Sequence, residues 1–379
     1  MKIIHTADWH IGKIIYGEYM LDDQRYILTQ FLNYLKEEPV DALVISGDVY
    51  DRAVSPAEAI NLLNETLSKI VLELKIPTII ISGNHDSAER LEFLNGILSG
   101  MNLHIEGVLK NEVKKVTFND EYGPINFYLL PYVDFLKARN LFSMNFQNKT
   151  EVILKYIENM NIDEKERNVL VAHEYVAGGE ESESERMLSI GGSEYIEPSI
   201  FEIFDYVALG HLHRPQSIVE HKICYPGSLL KYSFSEISHE KGMNLVDLKE
   251  KGNVNIQKVS FKVKRDMRVI KGFFKEVMEK EPTSDYLHVI LEDENVVVDG
   301  MNKLRSRFPN VLSLEYPNSK TNTNVKSLER DLKKTSPDEL FEIFFKEVKG
   351  RDLNPEEKKI VKNVFETVIK EGSDEAWNR

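Results

Sequence analysis

Five short stretches of the chain set carboxylates, imidazoles and an amide close together: Asp8-Trp9-His10, Gly47-Asp48 with Asp51, Gly83-Asn84-His85-Asp86, His173, and Gly210-His211-Leu212-His213. Six of the ten histidines (His5, His10, His85, His173, His211 and His213) lie in or beside these stretches. Each piece alone has an ordinary explanation. Asp48 could cap a helix or close a turn, and a lone histidine after a strand is more often a satisfied buried side chain. Gathered together, neutral imidazoles and acids are costly to bury unless something pairs them, and a divalent metal does so. The donors are nitrogen and oxygen without thiolate, which suits manganese, iron or zinc in a catalytic site better than a zinc-finger role. Seven donors (Asp8, His10, Asp48, Asn84, His173, His211 and His213) exceed what one ion with open positions would use. Two ions about 3.5–4 Å apart, bridged by one carboxylate, fit that number. Such a pair would acidify a bridging water and clamp the attacking and leaving oxygens at phosphorus, so the expected reaction is phosphoester hydrolysis with no serine or cysteine triad.

Something must bring these stretches to one place. Each follows an apolar run of strand length, namely Lys2–Thr6, Asp41–Ser46, Ile76–Ser82, Asn168–Ala172 and Tyr206–Leu209. Alternation of such runs with helical patterns predicts an α/β layer structure, in which C-terminal strand ends share an edge where ligands bind. A helix is expected over Leu21–Lys36. Another should begin at Ser55-Pro56-Ala57-Glu58, read as a capping box, with Ile60, Leu63, Leu67, Ile70 and Leu74 as its core stripe. Further strands are expected within Ile218–Val263, and a small α+β unit from about Arg268 to Pro317. Asn318–Val325 has linker composition. Two terminal helices follow, opened by Ser336-Pro337-Asp338-Glu339 and by Asn354-Pro355-Glu356-Glu357. An amphipathic pair after a polar linker either folds back on its own body, the commoner fate, or lies in a partner's groove.

Composition bounds the rest. A 379-residue chain that is 42% hydrophobic and 29% charged is globular and large enough for two or three units. The apolar runs are far short of a membrane span, and the N-terminus runs straight into a strand with no signal-peptide core. With one cysteine, Cys224, there is no internal disulfide. The expectation is a soluble cytoplasmic protein with no membrane association. The net charge of −14 argues against a basic surface along the whole chain. Charge is unevenly spread, however: nine acids against one base from Glu174 to Asp205, and seven bases against three acids from Lys262 to Lys280. Runs of this kind are ordinarily solvated faces, but the basic one leaves room for a local polyanion site.

The run Asp8-x-His10, Gly47-Asp48-x-x-Asp51, Gly83-Asn84-His85-Asp86, His173 and Gly210-His211-x-His213 resembles the calcineurin-like metallophosphoesterases. The loop Val176-Ala177-Gly178-Gly179-Glu180-Glu181-Ser182-Glu183-Ser184-Glu185-Arg186, with Ser189-Ile190-Gly191-Gly192 after it, is similar to the SbcD-type nuclease subunits of SbcC–SbcD DNA repair complexes. GDVYDRA at Gly47–Ala53 and ALGHLHRPQ at Ala208–Gln216 point the same way. The resemblance covers Met1 to about Tyr316; the terminal helices match in kind more than in letters.

That resemblance implies a metallophosphoesterase β-sandwich flanked by helices over residues 1–265 and a DNA-holding α+β capping domain over 266–318. A linker over 319–334 and a helical SbcC-binding region over 335–372 would follow, which replaces the fold-back expectation. It also implies two divalent ions, manganese first among them. One would be held by Asp8, His10, Asp48 and His213, the other by Asp48, Asn84, His173 and His211. His85 would be catalytic, touching the scissile phosphate or leaving oxygen, with Asp86 orienting it. The implied activity is a DNA nuclease, a 3′–5′ exonuclease on duplex and an endonuclease on single strands and hairpins. The implied partners are DNA, the SbcC ATPase and a second copy within a heterotetramer, with Leu21–Lys36 or Ser55–Leu74 offering a face. No G-x-x-x-x-G-K-[ST] occurs, so ATP use would belong to the partner. Two other readings stand beside it. A phosphatase or small-substrate phosphodiesterase would use the same donors, with Arg52 gripping phosphate; a decayed metal-free scaffold would lack some of them.

Overall fold

The computed structural model describes residues 1–185, 195–318, 341–342, 345 and 351–361. Seventeen strands and eight α-helices are described. In chain order the first half runs β1 (Lys2–Thr6), β2 (Ile14–Ile15), β3 (Glu18–Tyr19), α1 (Leu21–Glu37), β4 (Ala42–Ser46), α2 (Ala57–Ser68), β5 (Thr78–Ile81), α3 (Ala88–Leu91), α4 (Asn95–Leu98), β6 (Leu103–Glu106), β7 (Lys114–Asp120), β8 (Gly123–Leu130), α5 (Phe135–Phe142) and α6 (Lys149–Asn159). The second half runs β9 (Arg167–His173), β10 (Tyr206–Gly210), β11 (Gln216–Val219), β12 (Ile223–Tyr225), β13 (Gly242–Leu248), β14 (Val254–Ser260), β15 (Met267–Gly272), α7 (Phe274–Glu279), β16 (Tyr286–Leu291), α8 (Gly300–Arg305) and β17 (Val311–Glu315).

Two six-stranded sheets carry the architecture, ordered β14-β13-β1-β4-β5-β6 and β11-β12-β10-β9-β8-β7. Strands β1, β4, β5 and β6 are parallel, with β6 at one edge, as are β8, β9, β10 and β12; antiparallel strands close the other edge of the first sheet and both edges of the second. Strand alternation assigns the faces. Ile3, Val44, Ile79 and Ile81 of one sheet meet Phe127, Leu129, Val171 and Ala208 of the other in a dry core. The opposite faces carry helices: Ile4, Leu43, Ile45 and Ile80 pack on α1 and α2, while Tyr128, Leu170 and Val207 belong to the core with α5 and α6. The result is helix, sheet, sheet, helix, the expected α/β sandwich. It places the ends of β1, β4 and β5 in one sheet and those of β9 and β10 in the other, so the five strand ends do not share a single open-sheet edge.

Two local expectations change. Ser55 does not cap α2; its hydroxyl donates to the carbonyl of Arg52 at 3.0 Å, and Pro56 occupies the cap position. The buried stripe of α2 is Ala59, Leu62, Leu63 and Thr66, which leaves Ile60 49% exposed. A π-helical turn over Lys69–Glu73 then extends the helix and brings Ile70 and Val71 inward.

The described residues divide into two compact units. The first is Met1–Val269 with Thr283–His288 and Phe308–Ser313; the second is Ile270–Pro282, Val289–Arg307 and the described residues from Leu314 onward. Strands β15, β16 and β17 form a three-stranded sheet in that order. The second unit buries Val277, Val289, Leu291 and Leu304. The expected linker 319–334, the opening at Ser336 and most of the region 335–372 lie outside the described residues. Of the second terminal helix the start is described, and it is capped as its letters predict. Asn354 Oδ1 accepts from the Glu357 amide at 2.9 Å while the Glu357 carboxylate accepts from the Asn354 amide at 2.8 Å. Among the described residues no helix is long and apolar enough to cross a membrane.

The two sheets approach closely at Gly210. A Cβ there would lie 1.9 Å from the carbonyl oxygen of Ser46 and 2.7 Å from His173 Nδ1. Backbone cannot yield as a side-chain tip can, so Gly210→Ala should cost about 1–3 kcal/mol of unfolding free energy in urea titration.

Candidate metal centre

Several strand ends pass into turns of positive-φ backbone just where the site residues stand. Asp8, His10, Asp48 and His211 all adopt positive φ, at 53°, 44°, 49° and 105°. Strain of this kind gathers where a side chain must be aimed rather than packed. Gly83 allows the close approach. A Cβ on it would fall 2.1 Å from Asp48 Oδ1, so the residue before Asn84 has to be glycine for the two loops to meet.

All seven expected donors converge, and His85 and Asp51 come with them. Donor atoms of Asp8, His10 and His213 lie within 4.8 Å of one another, as do those of Asp8, Asp48 and His173, and those of His10, Asp51 and His85. Asp48 stands in the middle: its Oδ2 is 3.4 Å from His173 Nε2, 3.7 Å from His10 Nε2 and 4.0 Å from His85 Nε2. Asn84 Oδ1 lies 3.1 Å from His173 Nε2 and 3.2 Å from His211 Nδ1. On the other flank His10 Nε2 and His213 Nε2 face each other at 2.9 Å. Asp8, His10, Asp48, His173, His211 and His213 are buried, and Asn84 is half-buried.

The electrostatics are those of a site built for a cation. Burial drives Asp8 up to about 7 and holds the His10 and His211 imidazoles well below their ordinary value. Burial also works against the charge on Asp48, but the facing His173 outweighs it and keeps that carboxylate well below the usual range. Burial opposes the proton on His173 too, yet Asp48 lifts it to about 9. Among the described residues His10 Nδ1 is a buried nitrogen without a hydrogen-bond partner. Two buried carboxylates among closely facing imidazole nitrogens fit divalent metal chemically, and the pairing it offers replaces the lost solvation.

A layer of polar residues aims these groups. The Nδ1–H of His173 donates to the Ser46 carbonyl at 2.8 Å, turning Nε2 inward. The His211 amide donates to Asp8 at 3.0 Å. Gln24 donates to the His10 carbonyl at 2.7 Å, and the Tyr232 hydroxyl donates to that of Trp9 at 2.5 Å, so the Asp8–His10 loop is tied from behind. Beside His173, Glu174 forms a buried ion pair with Lys149 at 2.5 Å. None of Gln24, Lys149, Glu174 or Tyr232 was singled out from the sequence; only Glu174, next to His173, carried a positional hint.

One expectation is redirected, and one histidine stands apart from the site. The Asp86 carboxylate accepts from the amides of Val49 (3.1 Å), Tyr50 (2.9 Å) and Gly83 (3.0 Å), so it fastens the Asp48 loop; at His85 the Nδ1–H donates to the Asp51 carbonyl at 2.8 Å. His5 is a core histidine, with Nδ1 2.7 Å from the Tyr206 hydroxyl and Nε2 3.1 Å from the Leu209 carbonyl. Burial lowers it to about 3.

Comparison with known proteins gives the chain's relatives. The calcineurin-like phosphoesterase profile matches residues 1–215, and the type 5 capsule protein repressor C-terminal domain profile matches residues 263–349. The SbcD subunit of the nuclease SbcCD from Staphylococcus epidermidis is 35% identical over 376 residues, 97% of this chain and 99% of that protein. The crystal structure of TT1561 from Thermus thermophilus aligns with a TM-score of 0.39 at 12% identity, covering 68% of this chain and 98% of its own. By its phosphoesterase profile and its near-full-length relative, the chain belongs to the calcineurin-like phosphoesterases, in the family of SbcD nuclease subunits.

Proposed function

We propose that this chain is the metal-dependent nuclease subunit of an SbcC–SbcD complex, cutting DNA phosphodiesters both from duplex ends, 3′ to 5′, and within single strands and hairpins. The observation that carries the reading is Asp48 Oδ2, buried between His10 and His173 where a bridging ligand would stand. Two manganese ions fit the donor set: Asp8, His10, Asp48 and His213 would hold one, and Asp48, Asn84, His173 and His211 the other. When bound, they would supply an acidified water and a Lewis-acid clamp on the phosphate oxygens. His85 would act on the phosphate or the leaving oxygen rather than as a ligand. Its Nδ1–H is committed to the Asp51 carbonyl, so Nε2 is the atom turned toward the pocket. A phosphatase acting on small substrates would use the same donors, but the profile match over 263–349 supplies a second module that such an enzyme has no use for.

Residues 266–318 would be the DNA-capping module. Lys262, Lys264, Lys275 and Lys280 are exposed, as sequence-independent phosphate contacts require, while Arg268 and Lys271 are exposed but paired with Asp285 at 2.6 Å and Glu292 at 3.1 Å. Arg265 is excluded from that role, since its Nε donates to Asp23 at 3.0 Å and its guanidinium lies over the Tyr286 ring. The second copy would dock on the apolar surface between α2 and α4. Ile60, Leu72, Phe93 and Met101 are exposed there around a cavity of about 350 Å³, larger than a scatter of single surface apolars. SbcC would take the region 335–372. A cytoplasmic location accords with a DNA substrate and a buried free Cys224.

A labelled DNA hairpin with manganese tests the central reading. Asp48→Ala should abolish both metal binding and cleavage, whereas His85→Ala should keep metal by titration calorimetry and lose about 10²–10⁴ of the rate. Turnover of p-nitrophenyl phosphate with no DNA cleaved under any condition would favour the phosphatase. Phe93→Asp should convert a dimer to a monomer in sedimentation velocity while the circular dichroism spectrum stays unchanged. Deleting residues beyond Ser327 should spare manganese-dependent nicking and remove co-purification with SbcC.

A further inference from the structure

The acidic loop after β9 reaches the metal centre from outside. Ser184 Oγ lies 2.6 Å from His213 Nδ1 and 2.5 Å from Glu236 Oε1. Glu236 is buried and paired with the buried Lys241, whose Nζ also donates to the His213 carbonyl at 2.6 Å and to Ser228 Oγ at 2.8 Å. Ser233 Oγ donates to the same Glu236 oxygen at 3.0 Å. An ionised carboxylate only accepts, so the one hydroxyl hydrogen of Ser184 is committed to Glu236. The hydroxyl is then an acceptor toward His213, and His213 Nδ1 must carry a proton. That selects the tautomer with the lone pair on Nε2, the nitrogen that faces His10 at 2.9 Å. The neighbouring Glu185 adds a second hold by accepting the His213 amide at 2.7 Å.

We propose that Ser184, backed by Glu236 and Lys241, is a positioning residue for His213, setting its tautomer and ring orientation so that Nε2 is presented to metal. This rests on the assignment of His213 as a ligand. Two segments distant in sequence, the acidic loop and the turn before β13, thereby act on one imidazole. The loop becomes part of the metal site without supplying a ligand.

Calorimetric titration of the full-length protein with Mn²⁺ alone tests the idea. Ser184→Ala should weaken about 10–100-fold the same binding equivalent that His213→Ala removes, and leave the remaining affinity within about twofold. Ser184→Thr, which keeps the hydroxyl, should restore it. Histidine ¹⁵N spectra of the metal-free protein should show His213 as the Nδ1–H tautomer in the wild type and a mixture in Ser184→Ala. If Ser184→Ala binds Mn²⁺ as the wild type does while His213→Ala loses an equivalent, the positioning role is overturned and the metal assignment stands. If His213→Ala also binds as the wild type does, the ligand assignment falls and this role falls with it.

Discussion

The hydrogen bond from His173 Nδ1 to the Ser46 carbonyl, 2.8 Å long, runs from one sheet to the other, and the site's geometry depends on it. The Ser46 hydroxyl donates in turn to the Ala208 carbonyl at 3.0 Å, so one residue at the end of β4 is bonded to both β9 and β10. Along the rest of their length the sheets meet mainly through apolar side chains, which fix spacing but tolerate sliding. Directional bonds at the strand ends remove that freedom where it matters. Donors from two sheets can then keep one geometry to within the fraction of an ångström that metal chemistry requires.

Burial explains why the groups at this seam are so strongly displaced from their ordinary acidities. Asp8 rises to about 7 through loss of water, while Asp48, equally buried, stays ionised because His173 faces it. Two carboxylates just past the ends of neighbouring strands thus differ because His173 faces Asp48 directly at 3.4 Å, whereas at Asp8 burial prevails over the pull of His173, His213 and the His211 amide. The polar residues behind them, Gln24, Tyr232, Glu174 and Lys149, fasten loops that apolar packing could not hold in a left-handed backbone.

Much of the site was legible because chemistry and strand ends coincide along the chain. An apolar run of four to seven residues followed by Gly-Asp, Gly-Asn-His or Gly-His-Leu-His marks a strand and its turn together, and all seven donors follow such runs. The division of these strands between two sheets was not legible from periodicity, since a strand buried on both faces reads the same in an open sheet as in a sandwich. Strands β6, β7 and β8 were also missed. Lys114–Asp120 is an edge strand with mixed exposure, and its partner carries a proline at its second position. The Ser55 cap failed because its hydroxyl found a nearer carbonyl, while Asn354 and Glu357, with no such competitor, closed as their spacing predicts. Ser184 could not have been found by pattern, because its partners His213 and Glu236 are set by tertiary packing alone.

The left-handed backbone at Asp8, His10, Asp48 and His211 has an evolutionary consequence. Each such position holds about 1–3 kcal/mol of conformational strain that the surrounding fold must sustain. Glycine or asparagine there would relieve part of it and discard a donor, so selection for stability alone would erode this centre first. An active lineage is therefore confined to sequences whose sandwich is stable enough to carry four strained turns. The dry core between the sheets, remote from any chemistry, sets how far the rest of the chain is free to vary.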